Sequence, residues 1–176
     1  MFRGASAGLA LMLAASAALA SDAPSPADDL QGRFSIRFRN GDTFGKTYWS
    51  RNTADIVRVD DMHAYVRMSL AFFNGHQCFI SAIATAEGAE LVYREREKPV
   101  LGDTRCVLHI THQGDWLRWN DEEGTCYNYC GMRGSFADGR LPWRSRKPIK
   151  HVRAVKSSDD YRDAVQAFWK HEKPEQ

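Results

Sequence analysis

The chain has 176 residues, with 24 Lys plus Arg against 22 Asp plus Glu and a formal net charge of +2. Its first twenty residues, Met1 to Ala20, carry one charge, Arg3, and are otherwise apolar or small, too biased to belong to a folded domain. The remainder is nearly neutral, long enough for one domain and too short for two ordinary ones, and it holds no second apolar span.

Met1 to Ala20 reads as a secretory signal peptide. A cationic start, an apolar stretch from about Leu9 to Leu19, and small residues at Ala18 and Ala20 match the three regions of such a signal, with cleavage after Ala20. The stretch is padded with Ala and Gly and falls short of the roughly 20 large apolar residues that span a bilayer. Cleavage leaves 156 residues with no Cys near the new N-terminus, so neither a lipid anchor nor a transmembrane anchor is expected. The expected product is a free protein in the periplasm or outside the cell.

Residues 21 to 31 carry two prolines and three aspartates and little to bury, which predicts a mobile linker. From Gly32 the pattern becomes β-like. The runs GRFSIRFRNG, TYWS, DIVRV, HAYVRMSLAFF, QCFISAIAT, AELVYRERE, RCVLHITH and DWLRWN are rich in β-branched and aromatic residues. Asn40-Gly41-Asp42, Asn74-Gly75, Glu87-Gly88, Leu101-Gly102-Asp103 and Gln113-Gly114-Asp115 separate them as turns, because Gly and Asn tolerate positive φ. Alternation places Phe34, Ile36 and Phe38 on a core face and Arg33, Ser35, Arg37 and Arg39 on a solvent face. Cys106, Leu108 and Ile110 likewise share a face, against Val107, His109 and Thr111.

Seven or eight such strands predict an all-β fold, an antiparallel small barrel or sandwich, since both dispose of sheet edges. This β-rich domain covers 32–156. One stretch is helical in pattern, 157–172, where Ser157 to Asp160 supply N-cap candidates and Tyr161, Val165, Phe168 and Trp169 fall at helical spacing. Its aromatic side is expected to pack on the sheet.

The four cysteines, Cys78, Cys106, Cys126 and Cys130, all follow the signal segment, and an even count in an exported chain reads as two disulfides. Of the three pairings, Cys78 with Cys106 and Cys126 with Cys130 is favoured: one bridge joins two strand-like runs and the other pins a tight, Gly-flanked loop. A Cys106–Cys126 bridge competes with it. The C-x3-C spacing is a poor zinc signal and export argues against free thiolates, so no metal is expected, even with His109 and His112 nearby.

No motif for a serine hydrolase, zinc protease, nucleotide or dinucleotide site is present, and neither an enzyme nor a cofactor is expected. Asp121, Glu122 and Glu123 read as a solvated hairpin tip. His109 and His112, three apart in a strand, face opposite ways.

The segment Gly124 to Gly139 holds two cysteines, four glycines and three aromatics, the composition of a loop fixed by cross-linking. Rigid loops lose little entropy on association, and Tyr127, Tyr129, Arg133 and Phe136 are candidate partner-binding residues. The competing reading has the bridge staple a barrel corner, with the tyrosines covering its end.

Charge is unevenly spread. Residues 21 to 139 carry 13 basic and 17 acidic side chains, whereas residues 140 to 176 carry 10 and 5. Arg140, Arg144, Arg146, Lys147, Lys150, Arg153 and Lys156 crowd around Trp143. Trp143, Arg144, Arg146 and Lys147 are therefore candidate partner contacts, although the tail could instead fold over the acidic body and neutralise it. Export makes nucleic acid an unsuitable partner.

Two cysteine-bearing strands, Cys-Phe-Ile-Ser-Ala and Arg-Cys-Val-Leu, followed by Cys-Tyr-Asn-Tyr-Cys-Gly-Met-Arg-Gly-Ser-Phe, resemble a group of small bacterial periplasmic β-rich proteins with a C-x3-C-G loop. In plan the chain is also distantly similar to the periplasmic lysozyme inhibitors, small disulfide-bearing β-barrels that plug the cleft of a peptidoglycan hydrolase. The resemblance spans about residues 64 to 139 and implies a protein partner, a cell-wall hydrolase or a secreted effector; no individual inhibitory residue carries over. The expected function is binding by protein contact. Two alternatives are a carrier of a small apolar ligand and a cell-envelope hydrolase using Asp115 or Asp121 with a histidine such as His109.

Overall fold

The computed structural model describes residues 24–99 and 102–170. The expected signal segment, residues 21–23 of the linker and the last two residues of the expected helix lie outside these. Eight strands follow one another in space as in sequence, all antiparallel: β1 (Gly32–Gly41), β2 (Thr47–Arg58), β3 (His63–Ala71), β4 (Gln77–Glu87), β5 (Glu90–Arg94), β6 (Val107–Gln113), β7 (Trp116–Asp121) and β8 (Gly139–Pro142). They curl into a nearly closed barrel. The closing contact lies just past β8, where the Arg33 and Lys147 main chains exchange N–H···O bonds of 2.8 Å in both directions. Ser35 N–H adds a bond to Ser145 Oγ at 3.1 Å.

Alternation decides what fills the barrel. Phe34, Ala54, Ile56, Ala64, Val66, Met68, Leu70, Ile80, Leu91, Leu108, Ile110 and Leu117 are buried in one contiguous core, so the interior is packed with side chains rather than hollow. The expected face shared by Cys106, Leu108 and Ile110 is there. The Phe34, Ile36, Phe38 face holds only at its start: Phe34 is fully buried while Ile36 is 40% exposed. The reason is that β1 and the first half of β2 extend past the barrel; β2 pairs with β3 only from Thr53 onward.

One turn departs from expectation and another matches it. Asn40-Gly41 stays in strand, and the reversal falls on Asp42 to Lys46, where one Asp42 carboxylate oxygen accepts from the N–H groups of Phe44 and Lys46 at 2.9 Å each. TYWS and DIVRV consequently join into one strand. At Asn74-Gly75 both residues have positive φ, 59° and 73°, as a tight hairpin requires.

The linker expectation is also corrected for its described part. Pro26–Asp29 forms a short helix, α1, with Pro at the start and the Ser25 hydroxyl accepting from Asp28 N–H. Ala27 and Leu30 are buried in the barrel core, and the helix packs on β2, β4 and β5. Two apolar residues one turn apart suffice to plug a barrel mouth.

Two helices follow the sheet, α2 (Val152–Lys156) and α3 (Asp159–Lys170). As expected, α3 lays its apolar side on the outer face of the sheet, where Ala164 and Phe168 cover Val57, Tyr65 and Ile83. Tyr161 meets Tyr65 edge-on with ring centres 5.0 Å apart. The first turn of the helix is pinned by Arg67 to the Asp160 carboxylate at 3.0 Å and by the Ser81 hydroxyl to the Asp160 carbonyl at 3.1 Å.

The disulfides join Cys78 to Cys130 and Cys106 to Cys126, which overturns the favoured pairing and realises the Cys106–Cys126 competitor. Topology explains this. Cys78 lies on β4 and Cys106 at the start of β6, with β5 between them, so about 10 Å separates their strands, beyond disulfide reach. The segment carrying Cys126 and Cys130 crosses the barrel end and meets each strand in turn. By loop closure each bridge contributes roughly 3 to 4 kcal/mol. Cys78→Ala with Cys130→Ala, which frees the longer loop of 52 residues against 20, is expected to lower the urea midpoint more than Cys106→Ala with Cys126→Ala.

Candidate binding surface

Both bridges lie at one end of the barrel, together with the β1–β2 and β3–β4 turns. The segment from Glu122 to Asp138 runs across this end. Cys126 ties it to β6, Cys130 ties it to β4, and Gly131 N–H donates to the Gln77 carbonyl at 2.7 Å. Gly134 is required by packing, since a Cβ there would stand 2.6 Å from Cys78 Sγ. Beyond it Phe136 drops into the core with no exposed surface.

The expected binding residues therefore part ways. Phe136 is corrected from partner contact to core side chain, because the loop needs an apolar anchor to close the barrel end. Tyr129 turns inward: its hydroxyl donates to Glu95 Oε1 at 2.9 Å and lies 2.8 Å from the Tyr93 hydroxyl. The second Glu95 oxygen accepts from Cys106 N–H at 2.9 Å, so a tyrosine–tyrosine–carboxylate chain locks loop to sheet. Burial pushes the Tyr93 pKa up to about 12, and burial with the Tyr93 and Glu95 contacts raises that of Tyr129 as well. Both stay protonated at neutral pH as hydrogen-bonding links. They line a cavity of about 300 Å³ between β5 and α3, with Ser81, Asp163 and Phe168. Tyr127 and Arg133 remain on the surface.

The basic tail is a structural strap through its backbone and rings. Trp143 stacks on His112 with ring centres 3.5 Å apart and planes 9° from parallel, and it meets Phe34 at 5.2 Å. Arg146 lies over Trp143 and donates from Nε to the Gln31 carbonyl at 2.8 Å. Lys147 closes the barrel through its main chain. Little of the tail's charge is neutralised by contact with the body: among the described residues, Arg140, Arg144, Arg146, Lys147, Lys150, Arg153 and Lys156 form no ion pair with a carboxylate, while Lys170 meets Glu97 at 3.6 Å. Of the four expected contacts in the tail, Arg144 alone has no such structural task.

The carboxylates and histidine of the hydrolase reading are not brought together. Asp121 is 2% exposed and faces the interior, accepting from Cys126 N–H at 3.1 Å, so it is not part of a solvated tip, whereas Glu122 and Glu123 are exposed. Asp115 sits in the β6–β7 turn. His109 is on the outer face, clamped between Glu90 at 3.1 Å and Glu122 at 2.7 Å. As strand parity predicts, His112 faces the other way.

Register reveals a feature that alternation alone did not. On the outer face of the β1–β2 hairpin, Arg37 stands opposite Arg51 and Arg39 opposite Trp49. Both Arg37 and Arg39 lie over the Trp49 ring, with guanidinium carbons 4.5 and 5.4 Å from its centre. Trp49 is nonetheless 53% exposed. Around this ladder, Phe44 at the hairpin tip is 94% exposed and Met132 in the cross-linked loop 93%, with Phe73 half exposed between β3 and β4. The sequence shows each residue, but only cross-strand register and the true disulfide pairing place them at one end.

No known protein family, curated protein or solved structure matches the chain.

Burial opposes protonation of His109, but hydrogen bonds and charge from Glu122 and Glu90 outweigh it and raise its pKa. A raised pKa in the folded state means that this contribution to stability is fully present below the ordinary histidine value, near 6.5, and lost as pH rises through the folded value. His109→Gln is expected to remove that loss from a plot of Tm against pH between 6 and 9. Phe136→Ala is expected to cost about 3 to 5 kcal/mol in urea unfolding, and Arg133→Ala almost nothing.

Proposed function

We propose that this chain is an exported binding protein that acts by contact with another protein, as an inhibitor of, or immunity protein against, a cell-wall hydrolase or secreted antibacterial effector. Two disulfides fit an oxidising compartment, and among the described residues no helix is long and apolar enough to cross a membrane. The observation that carries the reading is the exposure of Phe44, Phe73 and Met132 on turns at the cross-linked end of the barrel. Large apolar side chains grouped on a surface mark interaction sites, and a framework fixed by two bridges and the Tyr93–Tyr129–Glu95 chain has little ordering left to lose on binding. The distant similarity in plan to the periplasmic lysozyme inhibitors points the same way.

A carrier of a small apolar ligand draws less support, because the barrel interior is filled by its own side chains. The test is titration of the protein into muramidase assays of envelope extracts, with the captured partner identified by mass spectrometry. Stoichiometric loss of hydrolase activity is expected, weakened at least tenfold by Phe44→Asp with Met132→Asp at unchanged Tm. No captured partner and no loss of lytic activity would overturn the reading.

A further inference from the structure

Beyond Ser35, nothing among the described residues pairs with the outer edge of β1. In an antiparallel strand, successive residues turn their N–H and C=O groups to opposite sides. Arg33 turns its pair to Lys147, away from β2, so Arg37 and Arg39 do the same. No protein group among the described residues bonds to the main-chain N–H or C=O of Arg37 or Arg39 on that side.

The side chains around this edge find only neutral partners among the described residues: Arg39 donates to Thr47 Oγ1, and Arg37 and Arg39 lie over Trp49. Arg37 and Arg51 form a like-charged pair directly across the hairpin, in the narrow, non-hydrogen-bonded type of site where side chains lie closest and repulsion is costly. Neither has a carboxylate within ion-pair distance among the described residues. Charged residues are one way to guard an exposed strand edge, but a guarded edge is polar. This one is flanked by half-exposed Trp49 on the outer face and by Ile36 on the inner face.

We infer that the β1 edge at Arg37–Arg39 accepts an extended, carboxylate-rich segment of a partner protein as an added antiparallel strand. This rests on the protein-binding reading and names the partner's chemistry. Strand addition gives affinity through main-chain bonds and specificity through alternate side chains. Carboxylates on one face of the added strand lie beside Arg37 and Arg39, with Arg51 one strand further across the sheet, and apolar residues on its other face lie beside Ile36 and Phe38. The sheet spacing of about 7 Å between alternate residues sets this pattern as alternating acidic and apolar. A second copy of the same edge would set arginine against arginine, so charge favours a different chain.

The probe is a fluorescent ten-residue peptide of alternating Glu and Val, with binding read by anisotropy on the full mature protein. Binding is expected for this peptide and not for its Lys–Val counterpart, at least tenfold weaker in Arg37→Glu with Arg39→Glu. Arg37→Pro deletes an N–H that points to the open edge, where proline is tolerated, and it is expected to bind at least tenfold more weakly than Arg37→Gln. Of two peptides methylated on alternate backbone nitrogens, one is expected to lose binding and the other to keep it, a result that does not depend on any variant folding. If both methylated peptides still bind, or if a thymidine decanucleotide or phosphatidylglycerol vesicles bind more tightly than the acidic peptide, the inference is overturned. A dimer that dissociates on Arg37→Glu would overturn it in favour of self-association. Peptide binding and hydrolase inhibition are separate readouts, so either can fail alone.

Discussion

Arg33 and Lys147 exchange two main-chain hydrogen bonds, and the closure of the barrel rests on that exchange. The side chain of Arg33 turns the other way, gripping Asp55 through two contacts of 2.5 and 2.6 Å. A single residue thus joins the first strand, the second strand and the basic tail. Asp55 is almost wholly buried, and removing its cation would leave a buried carboxylate uncompensated, a far larger loss than that of an exposed ion pair. Below this point the sheet is continuous; above Ser35 it opens, and the β1–β2 hairpin runs on with its outer edge unpaired, held to the β3–β4 turn by Asn40, Tyr48 and Asn52.

That division of the molecule assigns its two ends different work. At the closed end, α1, Trp143 and His112 fill the mouth. At the other, two disulfides hold one long segment across the opening and leave the hairpin edge uncovered. The basic tail, whose charge stands out in the sequence, spends its backbone and rings on closure. The arginines of the hairpin, unremarkable in a charge count, stand in a row without acidic partners because β1 and β2 pair in the register that sets Arg37 against Arg51.

Much of the fold was legible because it follows from local rules. Period-two alternation and Gly or Asn turns mark the strands, and helical spacing from Tyr161 to Trp169 marks α3. The misses share a cause, which is that they depend on distance across the sheet. The disulfide pairing turns on β5 standing between Cys78 and Cys106. Phe136 reads as an exposed loop aromatic until the crossing segment is seen to need an anchor. Residues 24–31 read as linker because only Ala27 and Leu30 are apolar, yet a barrel mouth requires no more. The four-residue β8, bounded by Gly139 and Pro142, is too short to show a period. For the candidate surface, residue types were visible and their grouping was not.

Amide hydrogen exchange resolved to single residues in the free protein tests the incomplete closure of the barrel most directly. The account predicts slow exchange at Arg33, Phe34 and Phe38, whose N–H groups are bonded within the sheet, and fast exchange at Arg37 and Arg39. Slow exchange at Arg37 and Arg39 in a demonstrated monomer would mean that the edge is already paired, and would contradict it.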